Sequence, residues 1–221
     1  MLQPRQQSLR LHLTIGILVL VSAGLLFALI AENVVRAGAL TIADVNLAQW
    51  LHERSTPLLT QTLLVVTGLH DPWVLSPVAA LIAVYLMWKK RWYAMWAVVL
   101  GIEGGMLLNL LAKQVFHRAR PSFDNPLVTL TTYSFPSGHV VASTVFYGVL
   151  AALLISQTRS WRRAFWIQLI ALAMIVLVAF SRMYLGAHYL SDVLAAFLEA
   201  IAWLALCFTV IQSYRFYVRC Q

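Results

Sequence analysis

Charge is what this sequence has least of. Only 11% of its 221 residues are charged, against roughly 25% in a typical soluble domain. Such a chain cannot cover itself with polar groups, which excludes an ordinary water-soluble domain. Cysteine is scarce too. Cys207 and Cys220 have neither metal nor redox spacing, and Cys207 lies inside an apolar run, so no structural disulfide is expected. No low-complexity segment, internal repeat or separate soluble domain is visible, and one membrane-embedded domain is expected to take up residues 1–221. The net charge of +8 does not point to nucleic acid, because the basic residues sit in short clusters between apolar runs.

What is there is hydrophobic: 61% of the residues, in repeated runs of about 20, enough to cross a bilayer. Spans are predicted near 11–31, 72–88, 93–115, 138–157, 162–184 and 190–213. All should be helical, because lipid offers the backbone no hydrogen-bond partners. Residues 41–69 are mixed. Trp50, Leu51, Leu58 and Leu59 among polar neighbours predict short interfacial helices between the first and second spans. The expected fold is therefore all-α: a polytopic bundle of six transmembrane helices. Trp73, Trp88, Trp92 and Trp161 fall near predicted helix ends, as interfacial aromatics do.

The N-terminal run resembles a secretion signal, with Arg5 and Arg10 before it and Ala37-Gly38-Ala39 after it. At 11–31 it exceeds the usual apolar core of about 7–15 residues, so it is expected to stay as the first span. With the N-terminus inside, the inner segments carry ten basic residues: Arg5, Arg10, Lys89, Lys90, Arg91, Arg159, Arg162, Arg163, Arg215 and Arg219. The outer segments carry six: Arg36, Arg54, Lys113, Arg118, Arg120 and Arg182. The bias favours this orientation, with both termini inside.

Three polar stretches then fall on the outer side. KQVFHRARP, residues 113–121, leaves the third span. PSGH, residues 136–139, opens the fourth. SRMYLGAHYLSD, residues 181–192, links the fifth and sixth. Lys113, Arg120 and Arg182 suit a phosphate dianion, which needs several charge-assisted donors. Taken singly, each also fits an ordinary interfacial basic residue. Ser137 sits at an N-cap position. Gly138 allows close approach to the backbone, and a helix N-terminus aims N–H groups at an anion. A plain capped helix start accounts for the proline and the serine, but not for His139 at the mouth. His188 and Asp192 are four apart and share a helix face. The carboxylate would fix the imidazole tautomer and leave the other nitrogen free as a nucleophile; alone, the pair also reads as a local cap.

Together the pattern is K-x6-R-P, then P-S-G-H, then S-R-x5-H-x3-D. It resembles the three-part signature of the type 2 phosphatidic acid phosphatase superfamily without a departure, over roughly residues 57–213. The resemblance implies a membrane lipid phosphatase similar to bacterial phosphatidylglycerophosphate and undecaprenyl-diphosphate phosphatases. The expected location is a bacterial inner membrane, and the orientation set by the basic residues makes the active site face outward. Lys113, Arg120 and Arg182 would bind phosphate oxygens, helped by Ser137 and the Gly138 N–H. His188 would form a phosphohistidine, Asp192 would orient it, and His139 would protonate the leaving oxygen and then activate water. Pro121, Pro136 and Ser181 would shape the site. No cofactor and no metal is expected, since fixed cations and helix N–H groups supply the electrostatics. The expected partners are the bilayer and a lipid phosphate. A lipid phosphotransferase using the same intermediate is the nearest alternative; a transporter or channel would not account for three phosphate-type motifs on one face.

His117 and Asp124 lie nearby without an assigned role and are read as a solvated loop. Glu103 and Glu199 fall mid-span, where carboxylates are costly. They form either an inward polar stripe below the site or, the favoured reading, hydrogen bonds between closely packed helices helped by Gly101, Gly104 and Gly105.

Overall fold

The computed structural model describes the backbone of residues 2–220 and the side chains of residue 7 and residues 9–218. Arg5, Arg219 and Cys220 have side chains outside the described residues. The chain forms helices α1 (Leu2–Val35), α2 (Ala39–Glu53), α3 (Pro57–Leu69), α4 (Pro72–Trp88), α5 (Trp92–Val98), α6 (Gly104–Phe116), α7 (Gly138–Ile155), α8 (Trp161–Tyr184) and α9 (Leu190–Cys220). A π-helical stretch, Val99–Glu103, joins α5 to α6. No strand occurs among the described residues.

Six stretches are long and apolar enough to cross a membrane: Leu9–Val35, Pro57–Trp88, Trp92–Phe116, Gly138–Ile155, Trp161–Tyr184 and Leu190–Val218. α7 is the most enclosed of them. Its Val140, Val141, Val145 and Val149 are fully buried, as expected of a helix apolar all round. α4, α6, α8 and α9 pack about it, and α1 lies along α9.

Local signals set the helix ends. Pro57 and Pro72 begin α3 and α4, where a missing N–H costs nothing. The Asp71 side chain accepts from Trp73 N at 2.9 Å and caps α4, and Ser160 caps α8 in the same way. α6 stops at His117, whose φ of 47° is left-handed.

The second span, α4, covers Pro72–Trp88, as expected. α3 precedes it across a break at His70–Asp71, packs on α8 and buries Leu63 and Thr67; together the two helices make the apolar stretch Pro57–Trp88. One expectation needs correction. The third span is not a continuous α-helix: the π-helical turn interrupts it, as single-turn π-bulges do near functional sites.

Close packing uses small residues. A Cβ on Gly104 would lie 2.5 Å from Trp203 Cζ2, and one on Gly148 would lie 2.6 Å from Leu204 Cδ1. Lipid supplies no hydrophobic drive between helices, so such close approach and interhelical hydrogen bonds carry the association. Both mid-span glutamates make such bonds. Glu103 Oε2 accepts from Ser76 Oγ at 3.2 Å, and Glu199 Oε2 accepts from Asn109 Nδ2 at 3.2 Å. Gly104→Leu should destabilise the bundle by about 1–3 kcal/mol through overpacking against Trp203. Thermal unfolding in detergent would show this as a lowered midpoint.

Candidate active site

The site forms where α3, α4, α6, α7, α8 and α9 end on one side of the bundle. At its centre is an arginine. Arg118, two residues beyond α6, donates from Nη1 to Asp192 Oδ1 at 2.6 Å and to Ser191 Oγ at 2.6 Å. From Nη2 it donates to Asp44 Oδ2 at 2.8 Å. Its guanidinium also lies 4.4 Å from the centre of the Tyr189 ring. Asp44 and Asp192 are fully buried, and Arg118 is only 10% exposed at its side chain. Burial works against the Arg118 charge, but Asp192 and Asp44 outweigh it and hold the guanidinium above its ordinary pKa. Asp44 is further satisfied by the Ser191 backbone N–H and by the Ser191 hydroxyl.

Asp192 in turn holds His188. One carboxylate oxygen accepts from the Ser134 hydroxyl and from Tyr189 N, and lies 3.5 Å from His188 Nδ1. On the other side of the ring, Arg120 Nη1 lies 3.1 Å from His188 Nε2. A guanidinium can only donate. Nε2 must therefore be the accepting nitrogen, and the ring proton sits on Nδ1, facing Asp192. His188 is 2% exposed, and burial, resisted by Asp192, pushes its pKa down to about 3. The imidazole is neutral at physiological pH, with its Nε2 lone pair directed into a cluster of cations.

That cluster comprises the three predicted residues. Arg120 is fastened by Thr132 and Ala187 carbonyls, each at 2.6 Å, and by Thr132 Oγ1 at 2.8 Å. Burial lowers its pKa while Asp192 opposes the shift. Buried Lys113, in the last turn of α6, donates to Tyr133 O at 2.6 Å. Buried Arg182, in the last turn of α8, donates from Nη1 to Thr67 Oγ1 at 2.7 Å, while its Nε has no partner.

The start of α7 closes the site. Ser137 occupies the cap position, but its hydroxyl does not cap the helix, contrary to expectation. That Oγ is buried without a partner; the Ser137 N–H instead donates to Asp192 O at 3.1 Å, tying α7 to α9. A Cβ on Gly138 would meet Asn109 Oδ1 at 3.3 Å and Lys113 Cε at 3.9 Å, so the glycine keeps this helix mouth narrow. Pro136 follows a cis peptide bond and accepts from Asn109 Nδ2 at 3.4 Å. His139 Nε2 lies 3.4 Å from Asp71 Oδ2.

The remaining candidates are less central. Ser181 turns its hydroxyl back onto Val178 O within α8. Pro121 is half-buried and Asp124 exposed. The His117 ring stands edge-on to Tyr133, 4.5 Å away. Among the described residues, no three His, Cys, Asp or Glu side chains gather as a metal site would require.

Sequence reading missed Arg118, counted only as an outer basic residue, together with Asp44, Asp71, Ser134 and Ser191. Asp71 carried a signal, an Asp-Pro at a helix start. Asp44 carried another, as a lone carboxylate in a helix otherwise free of charge until Glu53.

Residues 94–216 match the PAP2 superfamily. The chain belongs to that superfamily. It is 31% identical over 174 residues to phosphatidylglycerophosphatase B of Bacillus subtilis (strain 168), covering 78% of this chain and 85% of that one. It is 30% identical over 151 residues to an undecaprenyl-diphosphatase of Sulfolobus acidocaldarius, covering 66% of each. Among solved structures, a transmembrane PAP2-type phosphatidylglycerolphosphate phosphatase from Bacillus subtilis superposes with a TM-score of 0.80. It shares 27% identity, over 88% of this chain and 96% of that one. Aquifex aeolicus LpxE superposes at 0.60 with 22% identity, covering 75% and 94%, and supports the fold alone. This PAP2 chain is thus a multi-pass membrane member of the family, as the sequence motifs implied.

Two outcomes follow from the geometry. Arg118→Ala strands two buried carboxylates and should cost about 3–5 kcal/mol, read as a fall in the unfolding midpoint. An imidazole titrating near 3 takes up a proton only as pH falls toward that value. Nitrogen NMR of histidine-labelled protein should therefore show His188 neutral, with its proton on Nδ1, throughout pH 5–8.

Proposed function

We propose that the protein removes the terminal phosphate from lipid phosphates or diphosphates through a phosphohistidine at His188. One observation carries this reading: His188 is locked by Asp192 at Nδ1 and presents Nε2 to Arg120 inside a cluster of three cations, of which Lys113 and Arg182 are buried and Arg120 is half-buried. Phosphatidylglycerophosphate, undecaprenyl diphosphate and phosphatidic acid are the substrates considered, the first two being named in the relatives' descriptions.

In this reading Lys113, Arg120 and Arg182 bind the phosphate oxygens. The unpartnered Ser137 hydroxyl, the unpartnered Arg182 Nε and the Gly138 N–H supply donors that await them. His188 Nε2 attacks phosphorus. The N–P bond forms as the bond to the leaving oxygen breaks, and protonated His139 gives that oxygen its proton. Asp192 stabilises the charge left on the His188 ring. A water then loses a proton to His139 and attacks phosphorus. The N–P bond breaks, inorganic phosphate leaves, and both histidines return to their starting states. Asp71 beside His139 supports the imidazolium form of that residue in each half-reaction. Pro121, Pro136 and Ser181 shape the walls around these groups.

The whole chain acts as one catalytic domain in a bacterial inner membrane. Both termini face the cytoplasm and the site faces outward, an orientation supported by the ten-to-six distribution of basic residues. A site at the membrane boundary lets a lipid present its headgroup while its tail stays in the bilayer.

The test is phosphate release by detergent-purified protein in EDTA, with the three lipids offered side by side. Activity should survive EDTA and fall by roughly 10³-fold or more in His188→Ala. Asp71→Asn should slow turnover by about 10²-fold while leaving the phosphoenzyme detectable. No release from any lipid by folded protein would sink the hydrolase reading and leave the phosphotransferase.

A further inference from the structure

Among the described residues, the end of the bundle opposite the active site carries the basic side chains of Arg10, Lys89, Lys90, Arg91, Arg159, Arg162, Arg163 and Arg215 and none of the Asp or Glu side chains. The carboxylates run from Glu103 and Glu199 at mid-span to Asp44, Asp71 and Asp192 at the site. Among the described residues, no Asp or Glu side chain pairs with the cations at this end. At this end a cavity of about 1030 Å³ opens between α1, α5, α7 and α9, at the upper limit of the roughly 300–1,000 Å³ of small-molecule sites. Its walls are mainly apolar, with Gly16, Ala97 and Ala205 among the small residues that line it. Lys90, Arg91 and Arg215 line its mouth. Arg215 is half-buried, with its guanidinium 5.2 Å from the centre of the Tyr93 ring.

We propose that this cavity is a binding site for one anionic glycerophospholipid, whose headgroup phosphate sits between Arg91 and Arg215 and whose acyl chains fill the apolar interior. The occupant follows from two complementary features. A deep apolar hollow between membrane-spanning helices takes alkyl chains, which a soluble anion lacks. A cationic mouth with no Asp or Glu among its described lining residues favours a net negative headgroup over a zwitterion, because no acidic side chain of that lining receives the ammonium group. Basic pockets between transmembrane helices hold anionic headgroups by the same physics. The Trp88, Trp92 and Trp161 rings, exposed at the adjoining helix ends, mark this level as the headgroup boundary. The bound lipid would bridge α1 to α5 and α9. This site is separate from the phosphatase centre and does not depend on the proposed activity.

The test follows thermal unfolding of the full chain in detergent by tryptophan fluorescence. Phosphatidylglycerol, phosphatidylcholine and glycerol 1-phosphate are titrated separately. Phosphatidylglycerol should raise the midpoint saturably, and the other two should not. The Arg91→Gln/Arg215→Gln protein should bind phosphatidylglycerol about tenfold more weakly or worse, with phosphate release unchanged. Arg162→Gln/Arg163→Gln, at the same end but outside the cavity, should keep the full shift. So should Arg182→Gln, which separates this site from lipid bound at the active centre. Ala205→Trp, which fills the hollow without touching a charge, should reduce the shift. An equal shift with phosphatidylcholine or glycerol 1-phosphate would overturn the proposal. A full shift in the Arg91/Arg215 variant would do the same, as would loss of the shift in Arg182→Gln.

Discussion

The polar end of this bundle depends on the two ion pairs of Arg118. Removing three charges from water is expensive, and mutual attraction repays the cost only when nearly every donor and acceptor is also hydrogen-bonded. Here that condition is met. Asp44 takes Arg118, the Ser191 hydroxyl and the Ser191 N–H; Asp192 takes Arg118, the Ser134 hydroxyl and Tyr189 N. One guanidinium thus fixes α2, the loop after α6 and the start of α9 relative to one another. Its contribution is better seen as specifying one arrangement than as adding net stability. His188 inherits its ring orientation from Asp192, so the direction of its Nε2 is set two residues removed from the nitrogen itself.

The apolar part of the molecule has a different logic. α7 is enclosed by its neighbours, and glycines let Trp203 and Leu204 approach its surroundings closely. Backbones in contact move little. That rigidity matters at the upper end, where the first residues of α7 face cations supplied by α6 and α8. Helices that shifted by an ångström would separate the donors from a common phosphate.

Much of this was legible in the sequence. Apolar runs of bilayer length located all six spans, and three motifs located the residues that converge on His188. The losses have physical causes. A π-turn changes the hydrogen-bond register without changing composition, so Val99–Glu103 looked like ordinary helix. α3 mixes polar and apolar residues, and nothing in that pattern marked its Thr67 as the partner of Arg182. Asp44 meets Ser191 across 147 positions of sequence, and no periodicity reports such a pairing. Arg118 was visible, but an arginine in an outer loop is indistinguishable from a topology signal until its carboxylates are found. Ser137 was placed at the right helix position for a reason that does not hold: its hydroxyl is unengaged rather than capping.

The contact between Arg120 and His188 has a consequence for competition. His188 Nε2, the attacking nitrogen in the proposed reaction, is covered by a cation that three carbonyl oxygens and a hydroxyl hold in place. Uncovering it takes a ligand whose negative charge outbids those neutral acceptors. A terminal phosphate carrying two charges does so readily; the singly charged phosphodiester of an ordinary membrane lipid does so poorly. Since phosphodiesters make up the surrounding sea and terminal phosphates are rare within it, in the proposed reaction the guanidinium acts as a filter that keeps the nucleophile from being swamped by its own solvent.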